Sequence, residues 1–483
     1  MTAERTGDDG PRHLLAGWGR AGASAARVAR PASEAEVGQL VAGSEGEPGR
    51  QAGILARGLG RAYGDAAQCA GGLVLDCTGL TGAPALDEEE RTLRAGAGAS
   101  FDQLLRFLVP RGYFLPVTPG TRFVTLGGAI ASDVHGKNHH VDGAIGAHVR
   151  STRLVTPSGV LTCGPGRDQD AFDATCGGMG LTGVITEATL SLLAIETSYM
   201  VVDTERAADL DACLALLEDE RGRSRYSVAW VDAMAGGRRL GRSVITRGDH
   251  AQVADLPARA RRAPLAYGPR QRLTVPFAPP VSVLGPASVR AFNEMWYRKA
   301  PPRRTGEVQP LAGFFYPLDG VGRWNVLYGP AGFTQYQFVV PFGAEAALRT
   351  VLERLSKARA ASFLTVLKSF GPAGSGHLSF PTEGWTLAMD IHLGSPGLPE
   401  LLDGLDDVVA EAGGRVYLSK DGRLRPEHVA AMYPRAVEWA AVRRRLDPEG
   451  VFASDLGRRL GLVGPDGPVG PNHGPAPWNG PPR

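Results

Sequence analysis

The chain has 483 residues, of which 43% are hydrophobic and 21% charged, and its formal net charge is +2 at pH 7. A chain of this length can bury a large core in two or three domains, while so small a net charge argues against nucleic acid as a general partner. The five cysteines are odd in number and form no C-x-x-C pair, which disfavours a disulfide scaffold and a metal site.

Neither end of the chain predicts a membrane anchor. The first ten residues lack the order of a signal peptide, and no apolar run approaches the ~18 residues that span a bilayer. We therefore expect a protein of the cytoplasm or one that touches the plasma membrane peripherally. Residues 463–483 are dense in proline and glycine and are expected to be disordered.

Short helices and strands alternate in the first part of the chain. Ser33 with Glu36 and Ser100 with Gln103 each show the capping-box pattern that begins a helix. Strands are predicted at the apolar run that begins at Ile54 and over residues 72–76 and 184–190. We expect residues 8–195 to form one α+β domain.

Two glycine-rich segments in this domain are typical of an anion-binding cradle. The first spans residues 57–64 and sets two arginines among its glycines; the second spans residues 119–140 and holds three histidines. Glycines let main-chain N–H groups approach a pyrophosphate closely, and arginines can neutralise its charge. Any one glycine more often just makes a turn, but together they favour the ligand.

A Rossmann nicotinamide site is not predicted. In the first glycine-rich segment Gly64 comes one place too late for the G-x-G-x-x-G pattern. Residues 178–183 match that pattern, but a strand follows them where the fingerprint requires a helix.

After Thr197 the pattern changes to longer strands with amphipathic helices between them. Strands are predicted over residues 226–232, 314–316, 335–340, 363–368 and 385–393. Helices are indicated by the apolar spacing of Leu210, Cys213, Leu214, Leu217, Leu348, Val351, Leu352, Leu355, Leu402, Leu405, Val408 and Val409. We expect residues 196–414 to form a second domain, a mainly antiparallel sheet covered by helices.

The strand over residues 385–393 alternates strictly. Apolar side chains occupy one face, while Thr386, Ala388, Asp390 and His392 share the other, which either lines a cavity or meets solvent. Gln335 and Gln337 likewise share one face of their strand.

Residues 256–293 form a basic and apolar segment without an acidic side chain. Five arginines, Arg259, Arg261, Arg262, Arg270 and Arg272, precede an apolar run broken by prolines. Basic residues beside an apolar loop suit a lipid phosphate at a membrane surface, and the alternative is an ordinary surface loop. We expect this loop to be mobile without substrate.

The two glycine-rich segments also carry a family resemblance. Together with residues 17–20, 293–299, 328–333 and 451–455, they resemble the FAD-linked oxidases of the vanillyl-alcohol oxidase type, which have a PCMH-type FAD-binding domain. Within that superfamily the likeness is greatest to the branch that oxidises decaprenylphosphoryl-β-D-ribose. The resemblance implies a two-part FAD domain that residues 415–462 complete.

The same resemblance implies the site residues. The cofactor is expected to be noncovalent FAD, bound by Ile54, Ala56, Arg57, Gly58, Leu59, Gly60, Arg61, Ala62, Tyr63, Gly64, Pro119, Gly120, Thr121, Thr125, Gly127, Gly128, His135, Gly136, Lys137, Asn138, Gly180, Ile185 and Tyr417. The substrate is expected to contact Gln337, Lys368, Thr386, Ala388 and Lys420.

Three residues are candidates for catalysis. Lys420 matches the active-site lysine of the family, and a lysine serves as a base if burial lowers its pKa; without the resemblance it is typical of a surface lysine. His135 is the competing candidate, expected to shape the flavin face, and Tyr63 is expected beside the isoalloxazine. His139 and His140 are expected on an extended segment, pointing apart, with no metal bound.

The resemblance implies oxidation of the C2 hydroxyl of a polyprenyl-phosphoryl ribose, with an NAD(P)H-dependent keto-sugar reductase as the partner that completes an epimerisation. One alternative is an oxidase of free polyols or sugar lactones, which needs no basic and apolar loop. A second alternative is a flavin-binding protein without turnover. No motif decides which acceptor re-oxidises the flavin.

Overall fold

Two sheets organise the N-terminal part of the chain in the computed structural model, which describes residues 11–43, 52–219, 221–280, 282–360 and 362–464. The predicted tail lies outside the described residues from residue 465 onward. In chain order the elements of this N-terminal unit are β1 (His13–Ala16), β2 (Ala23–Ala29), α1 (Glu34–Ala42), β3 (Ile54–Arg57), β4 (Leu73–Asp76), β5 (Ala85–Asp87), β6 (Thr92–Gly96), α2 (Phe101–Leu108), β7 (Tyr113–Phe114), α3 (Leu126–Ala131), α4 (His139–Asp142), β8 (Val149–Thr156), β9 (Gly159–Cys163), α5 (Gln169–Thr175), β10 (Val184–Ser191) and β11 (Leu193–Ala194).

The two sheets of this unit differ in strand direction. The first has the order β1-β2-β4-β3, with β2, β3 and β4 parallel, and the second has the antiparallel order β5-β6-β10-β8-β9. Apolar side chains from both sheets, from α1 and from the C-terminal segment pack into one core: Val37, Ile54, Val184 and Phe452. Neighbouring parallel strands must be joined by long crossover connections, whereas antiparallel strands can be joined by short hairpins. The two sheets therefore differ in how the chain connects their strands.

One large antiparallel sheet organises the rest of the chain. The elements are β12 (Tyr199–Ala207), α6 (Leu210–Asp219), β13 (Tyr226–Val231), β14 (Ser243–His250), β15 (Leu273–Thr274), α7 (Pro286–Lys299), β16 (Arg303–Pro310), α8 (Leu311–Phe315), β17 (Val321–Gly322), β18 (Phe333–Val340), α9 (Glu345–Lys357), β19 (Thr365–Phe370), β20 (Gly384–His392), α10 (Leu398–Glu411), β21 (Arg415–Val416), α11 (Pro426–Met432), α12 (Ala436–Leu446) and α13 (Asp455–Arg459). The order of its eight strands is β16-β12-β14-β13-β19-β20-β18-β21.

Helices cover one face of this sheet. The helices α6, α9 and α10 pack on it through the apolar residues that the sequence spacing predicted, so that prediction is confirmed. The fold is α+β, as expected. Among the described residues, no helix combines the length and the apolar character that crossing a bilayer requires.

The predicted helix starts are largely as expected. Ser100 and Gln103 form the complete capping box at α2. At α1, Ser33 accepts from the N–H of Glu36, but the Glu36 carboxylate accepts from the N–H of Ala32, one residue before the cap.

Two sequence predictions of extended chain are wrong. Residues 314–316, predicted as a strand, lie at the end of helix α8, because a three-residue apolar run carries no periodicity that distinguishes a buried strand from a buried helix turn. His139 and His140, expected on an extended segment, begin the single turn of α4. The segment 256–293 also contains regular structure, since α7 begins at Pro286.

The C-terminal segment returns to the N-terminal unit after β21. Trp439 on α12 donates its indole N–H to the carbonyl of Ala174 on α5. Further along, Phe452 pairs with Ile54 at the free edge of β3. Buried Asp447 holds this return in shape, because its carboxylate accepts from the N–H groups of Val451 and Phe452 and from Arg443.

Asp447→Ala should lower the free energy of unfolding by about 3–5 kcal/mol, because it leaves the buried Arg443 charge without its carboxylate. Urea unfolding followed by fluorescence measures the change. Asp170→Ala is the matched control. It breaks the exposed ion pair between Asp170 and Arg445, which lies on the same helix as Arg443, and it should leave the unfolding midpoint unchanged. Equal losses in the two variants would contradict the role of Asp447.

Candidate active site

A cavity of about 920 Å³ lies between the N-terminal unit and the face of the eight-stranded sheet opposite helices α6, α9 and α10. The loop after β3, the segment from Pro119 to His135 and the loop after β21 all contribute to its lining. Two predicted glycine-rich segments and the polar face of β20 therefore meet at one place. The alternative that the second face of β20 meets solvent is wrong, because Thr386, Ala388 and Asp390 are buried.

The loop after β3 has the properties of an anion cradle. Among the described residues, the N–H groups of Gly58, Leu59, Gly60 and Arg61 donate to no main-chain carbonyl. A Cβ at Gly58 would collide with the hydroxyl of Thr125, which caps α3 by accepting from the N–H of Gly128. Main-chain donors without partners beside a helix N-terminus fit a pyrophosphate, so this part of the cavity fits FAD.

Most of the predicted cofactor residues line the cavity. They are Ala56, Arg57, Gly58, Leu59, Gly60, Arg61, Ala62, Tyr63, Pro119, Gly120, Thr121, Thr125, Gly127, Gly128, His135, Lys137, Gly180, Ile185 and Tyr417. Four others lie behind the lining: Ile54, Gly64, Gly136 and Asn138. Ile54 packs in the core between the sheets, and Asn138 donates its amide to the carbonyl of Pro116.

The two arginines of the first glycine-rich segment have different surroundings. The Arg57 guanidinium donates to the carbonyls of Ala16 and Ala67, so it braces the main chain of the cradle. The Arg61 guanidinium lies 3.8 Å from the ring centroid of Trp18 and lines the cavity. Arg61 is therefore the better placed of the two to face a phosphate.

Lys420 lies in a buried polar cluster. Its Nζ is 4.1 Å from the ring centroid of Tyr63. The Gln335 amide donates to the Tyr63 hydroxyl at 3.3 Å and to Asp390 Oδ1 at 2.5 Å. Burial lowers the pKa of Lys420 to about 8, with the Asp390 charge opposing the shift, and burial raises the pKa of Asp390 to about 7. An amine in this state can accept a proton near neutral pH.

Three sets of contacts fix the main chain around Lys420. The Tyr417 N–H donates to the carbonyl of Gln337 on β18, and the Tyr63 N–H donates to the carbonyl of Ser419. Gly64 lies so close to the carbonyl of Asp421 that a Cβ there would collide with it. The loop that carries Lys420 is thus held between the cradle and the large sheet.

An arginine joins the same two segments by charge. Arg459 on α13 binds the Asp65 carboxylate through Nε and one terminal nitrogen, both at 2.8 Å, and lies 2.9 Å from the Asp421 carboxylate. Burial opposes ionisation of Asp421, but the Arg459 charge and the N–H groups of Arg423 and Leu424 outweigh it and lower its pKa.

His135 lies in a second network across the cavity. Lys368 Nζ is 3.0 Å from its Nδ1 and 3.2 Å from the carbonyl of Gly136, while the Gln337 amide is 2.9 Å from its Nε2. Burial, followed by the Lys368, His139 and Lys420 charges, holds the pKa of His135 well below its ordinary value. The ring is therefore neutral, with both nitrogens engaged. Thr386 contacts Gln337 at 3.4 Å, so Lys368 and Thr386 act behind the cavity surface, which Gln337 and Ala388 form.

The cavity also collects buried positive charge. Lys137 donates to the carbonyl of Phe314, and its Nζ lies 4.1 Å from the Phe314 ring. Burial lowers the pKa of Lys137 to about 7, and burial together with the Lys137 and Lys420 charges lowers that of Lys368 to about 7. Three amines so placed favour an anionic ligand. Within the described ranges, no group of three or more His, Cys, Asp or Glu is placed to hold a metal ion.

Sequence reasoning did not select Asp390, Gln335 or Trp18. Asp390 is completely buried beside Lys420, and the sequence signal was a carboxylate that alternates with apolar residues within a predicted strand. Nothing in the local pattern distinguishes Trp18 from a core tryptophan, because its partner Arg61 is distant in sequence.

Comparison with known proteins identifies the class. A family model described as the FAD binding domain matches residues 25–164, and a model described as D-arabinono-1,4-lactone oxidase matches residues 392–460. Together with the cradle and the buried amine, these matches make the chain an FAD-dependent oxidoreductase. The alternative of a flavin protein without turnover is accordingly disfavoured.

Individual relatives identify the family. The chain is 42% identical to a decaprenylphosphoryl-β-D-ribose oxidase of Mycolicibacterium smegmatis over 93% of its own length and 97% of that protein. It is 29% identical to an alditol oxidase of Streptomyces over 35% of its length and 39% of the relative. It is 21% identical to an L-gulono-1,4-lactone dehydrogenase of Mycobacterium tuberculosis over 90% and 95% of the two chains. The chain belongs to the decaprenylphosphoryl-β-D-ribose oxidase family.

Asp390→Asn should lower the pKa of Lys420 below its value of about 8, because it removes the charge that favours the ammonium form. The rate at which acetic anhydride modifies Lys420, followed by peptide mass spectrometry across pH, measures this pKa. The control Asp211→Asn changes an exposed carboxylate and should leave the profile in place. A higher pKa in Asp390→Asn would contradict the arrangement.

Proposed function

We propose that this protein oxidises the C2 hydroxyl of decaprenylphosphoryl-β-D-ribose, or of a closely similar polyprenyl-phosphoryl sugar, to the 2-keto sugar. The observation that carries the proposal is the 42% identity to an oxidase of that name along 97% of its length. The oxidation is the first half of an epimerisation to the arabinose form for cell-wall arabinan. A separate NAD(P)H-dependent reductase, which reduces the keto sugar, is the proposed partner.

Lys420 is the proposed base. When bound, FAD accepts the hydride that leaves the carbon of the alcohol. A residue of the chain must then accept the hydroxyl proton. Because the pKa of the buried Lys420 amine is about 8, part of this amine is uncharged at neutral pH and can accept that proton. The Lys420 amine lies over the ring face of Tyr63, and the charge of Asp390 favours its protonated form.

His135 is proposed to shape the cavity rather than to bond to the cofactor. Lys368 and Gln337 engage its two ring nitrogens, which leaves neither free as a nucleophile. This arrangement supports noncovalent FAD. Gln337 and Ala388 are proposed to contact the sugar directly, with Lys368 and Thr386 fixing the side chains in front of them.

An oxidase of free polyols or sugar lactones is the second candidate. The match of residues 392–460 to a D-arabinono-1,4-lactone oxidase model and the partial likeness to an alditol oxidase favour it. The first covers residues 392–460 and the second 35% of the chain, while the L-gulono-1,4-lactone dehydrogenase that spans 90% of the chain is only 21% identical. The relative that covers nearly the whole chain at 42% identity supports the lipid-linked sugar instead.

Peripheral membrane contact is part of the same proposal. Leu273 and Phe277 are 70% and 69% exposed in the basic and apolar segment, and Arg259, Arg262, Arg270 and Arg272 of the same segment are exposed. Exposed apolar side chains beside cations bind anionic lipid surfaces. Arg261 is engaged instead, since it donates to the carbonyls of Leu256 and Ala254.

Anaerobic mixing should bleach the flavin with farnesylphosphoryl-β-D-ribose and not with ribitol, which stopped-flow absorbance measures. The rate should rise with pH and level off above about 8, because Lys420 must be neutral to take the proton. Lys420→Ala should slow reduction by at least about a hundredfold. The exposed Lys357→Ala is the control and should reduce at the wild-type rate. Ribitol as the better substrate would support the second candidate, and full reduction in Lys420→Ala would contradict the base.

The double variant Leu273→Asp with Phe277→Asp should lose at least half of the protein that sediments with vesicles of anionic phospholipid, because it places charge on the apolar contact. The control Val160→Asp changes an exposed valine on β9 and should sediment as the wild type does. Equal sedimentation of all three proteins would contradict this membrane surface.

A further inference from the structure

The cavity continues well beyond the residues assigned to FAD and the sugar. Its lining follows one face of the eight-stranded sheet from the active site toward the edge strand β16. One or two side chains per strand form this floor: Ala388, Val366, Trp230, Val228, Val244, Thr246 and Thr204. We call the space above them the cross-sheet groove.

The sheet register makes this floor continuous. Ala388 is paired with Gln337 on one side and with Val366 on the other, and Val366 is paired with Trp230. Farther out, Thr246 is paired with Thr204. Directly paired residues share one face of a sheet. From β20 to β12 the row crosses four strand intervals, roughly 19 Å at the usual strand spacing.

One face of α7 forms the roof of the groove. Phe292, Trp296 and Lys299 line the cavity at positions i, i+4 and i+7, which lie on one side of a helix. The Trp296 ring centroid is 6.5 Å from that of Trp230 on the floor. The Trp230 N–H is already satisfied, because it donates to the carbonyl of Phe363, so the ring offers only apolar surface to the groove.

The roof is tethered to the sheet beside the groove. Buried Asn293 donates its amide to Asp232 at 2.8 Å and to the carbonyl of Ser362 at 3.3 Å. Arg242 bridges Asp232 at 2.6 Å and Glu294 at 2.7 Å. These contacts hold α7 at a set distance from the floor while leaving Trp296 41% exposed.

The chemistry of the lining selects one kind of occupant. The seven floor residues carry no charge, and apart from the Trp230 N–H, which is already satisfied, the two threonines supply their only polar side-chain groups. Polar side chains gather at the outer end of the cavity, where Lys299, Arg304, Glu307 and Gln309 line it and Lys299 and Arg304 are exposed. The inner end is the site proposed for the sugar. A long, unbranched and apolar group joined to that sugar matches the groove in length, polarity and direction.

We propose that the cross-sheet groove binds the first isoprene units of the substrate's polyprenyl chain, so that the enzyme recognises the lipid as well as the sugar. This inference rests on the proposed function, since it assigns the lipid half of the same substrate. Each added isoprene unit that lies in the groove therefore raises kcat/KM, until the prenyl chain reaches the edge of the sheet. Beyond Thr204 and Arg304, the rest of the prenyl chain extends out of the protein.

The test compares β-D-ribosyl phosphates esterified with methyl, geranyl and farnesyl groups. In the wild type, kcat/KM should rise at least about tenfold from the methyl to the farnesyl ester, because burial of each added methylene contributes to binding. Thr246→Trp places an indole in the outer half of the groove, so the ratio of the farnesyl to the methyl value should fall clearly below the wild-type ratio. Val228→Trp, at the paired position on β13, is a second variant with the same expectation.

Thr162→Trp is the matched control, because Thr162 lies half-buried on β9 and is not part of the cavity lining. It should keep the wild-type ratio, and the flavin content of every variant shows whether the protein has folded. Turnover of all three esters at equal kcat/KM would overturn the groove while leaving the proposed function in place. An unchanged ratio in both Trp variants would also overturn it. Failure to oxidise any of the esters would remove the proposed function and the groove with it.

Discussion

Arg459 binds the carboxylates of two segments that the chain places far apart, and the active site depends on that contact. Asp65 follows the cradle loop near the start of the chain, while Asp421 follows Lys420 near its end. The hydrogen bond from Tyr63 to the carbonyl of Ser419 and the close approach of Gly64 to Asp421 reinforce the junction. The position of Lys420 relative to the flavin cradle is therefore a property of the tertiary structure.

The large sheet contributes the other half of the site through side chains that alternate along its strands. Gln335 and Gln337 on β18 and Ala388 on β20 face the cavity, because paired residues share a face, and Asp390 lies buried on that same face. Each polar side chain at this surface is fixed by another behind it, as Gln335 is by Asp390. Such support keeps a site rigid without adding flexible groups to it.

The sequence predicted the parts of this arrangement that depend on local pattern. The alternation over residues 385–393 indicated a strand with one polar face. The glycine spacing around Gly58 indicated an anion cradle. The position of Lys420 came from the family resemblance, since a lysine in a short loop has no local sign of burial. The pairing of Asp390 with Lys420 could not be predicted, because it depends on how two distant segments pack. The strand prediction for residues 314–316 is wrong because so short an apolar run shows no helical period.

The buried amines described at the cavity link ligand binding to the surrounding solution. Lys137 and Lys368 each have a pKa of about 7, so at that pH a substantial fraction of each is uncharged. An anion that enters the cavity favours the ammonium forms, and the protein must take up hydrogen ions as it binds. The association constant for such a ligand then declines as the medium becomes more alkaline, and the heat of binding varies with the ionisation enthalpy of the buffer.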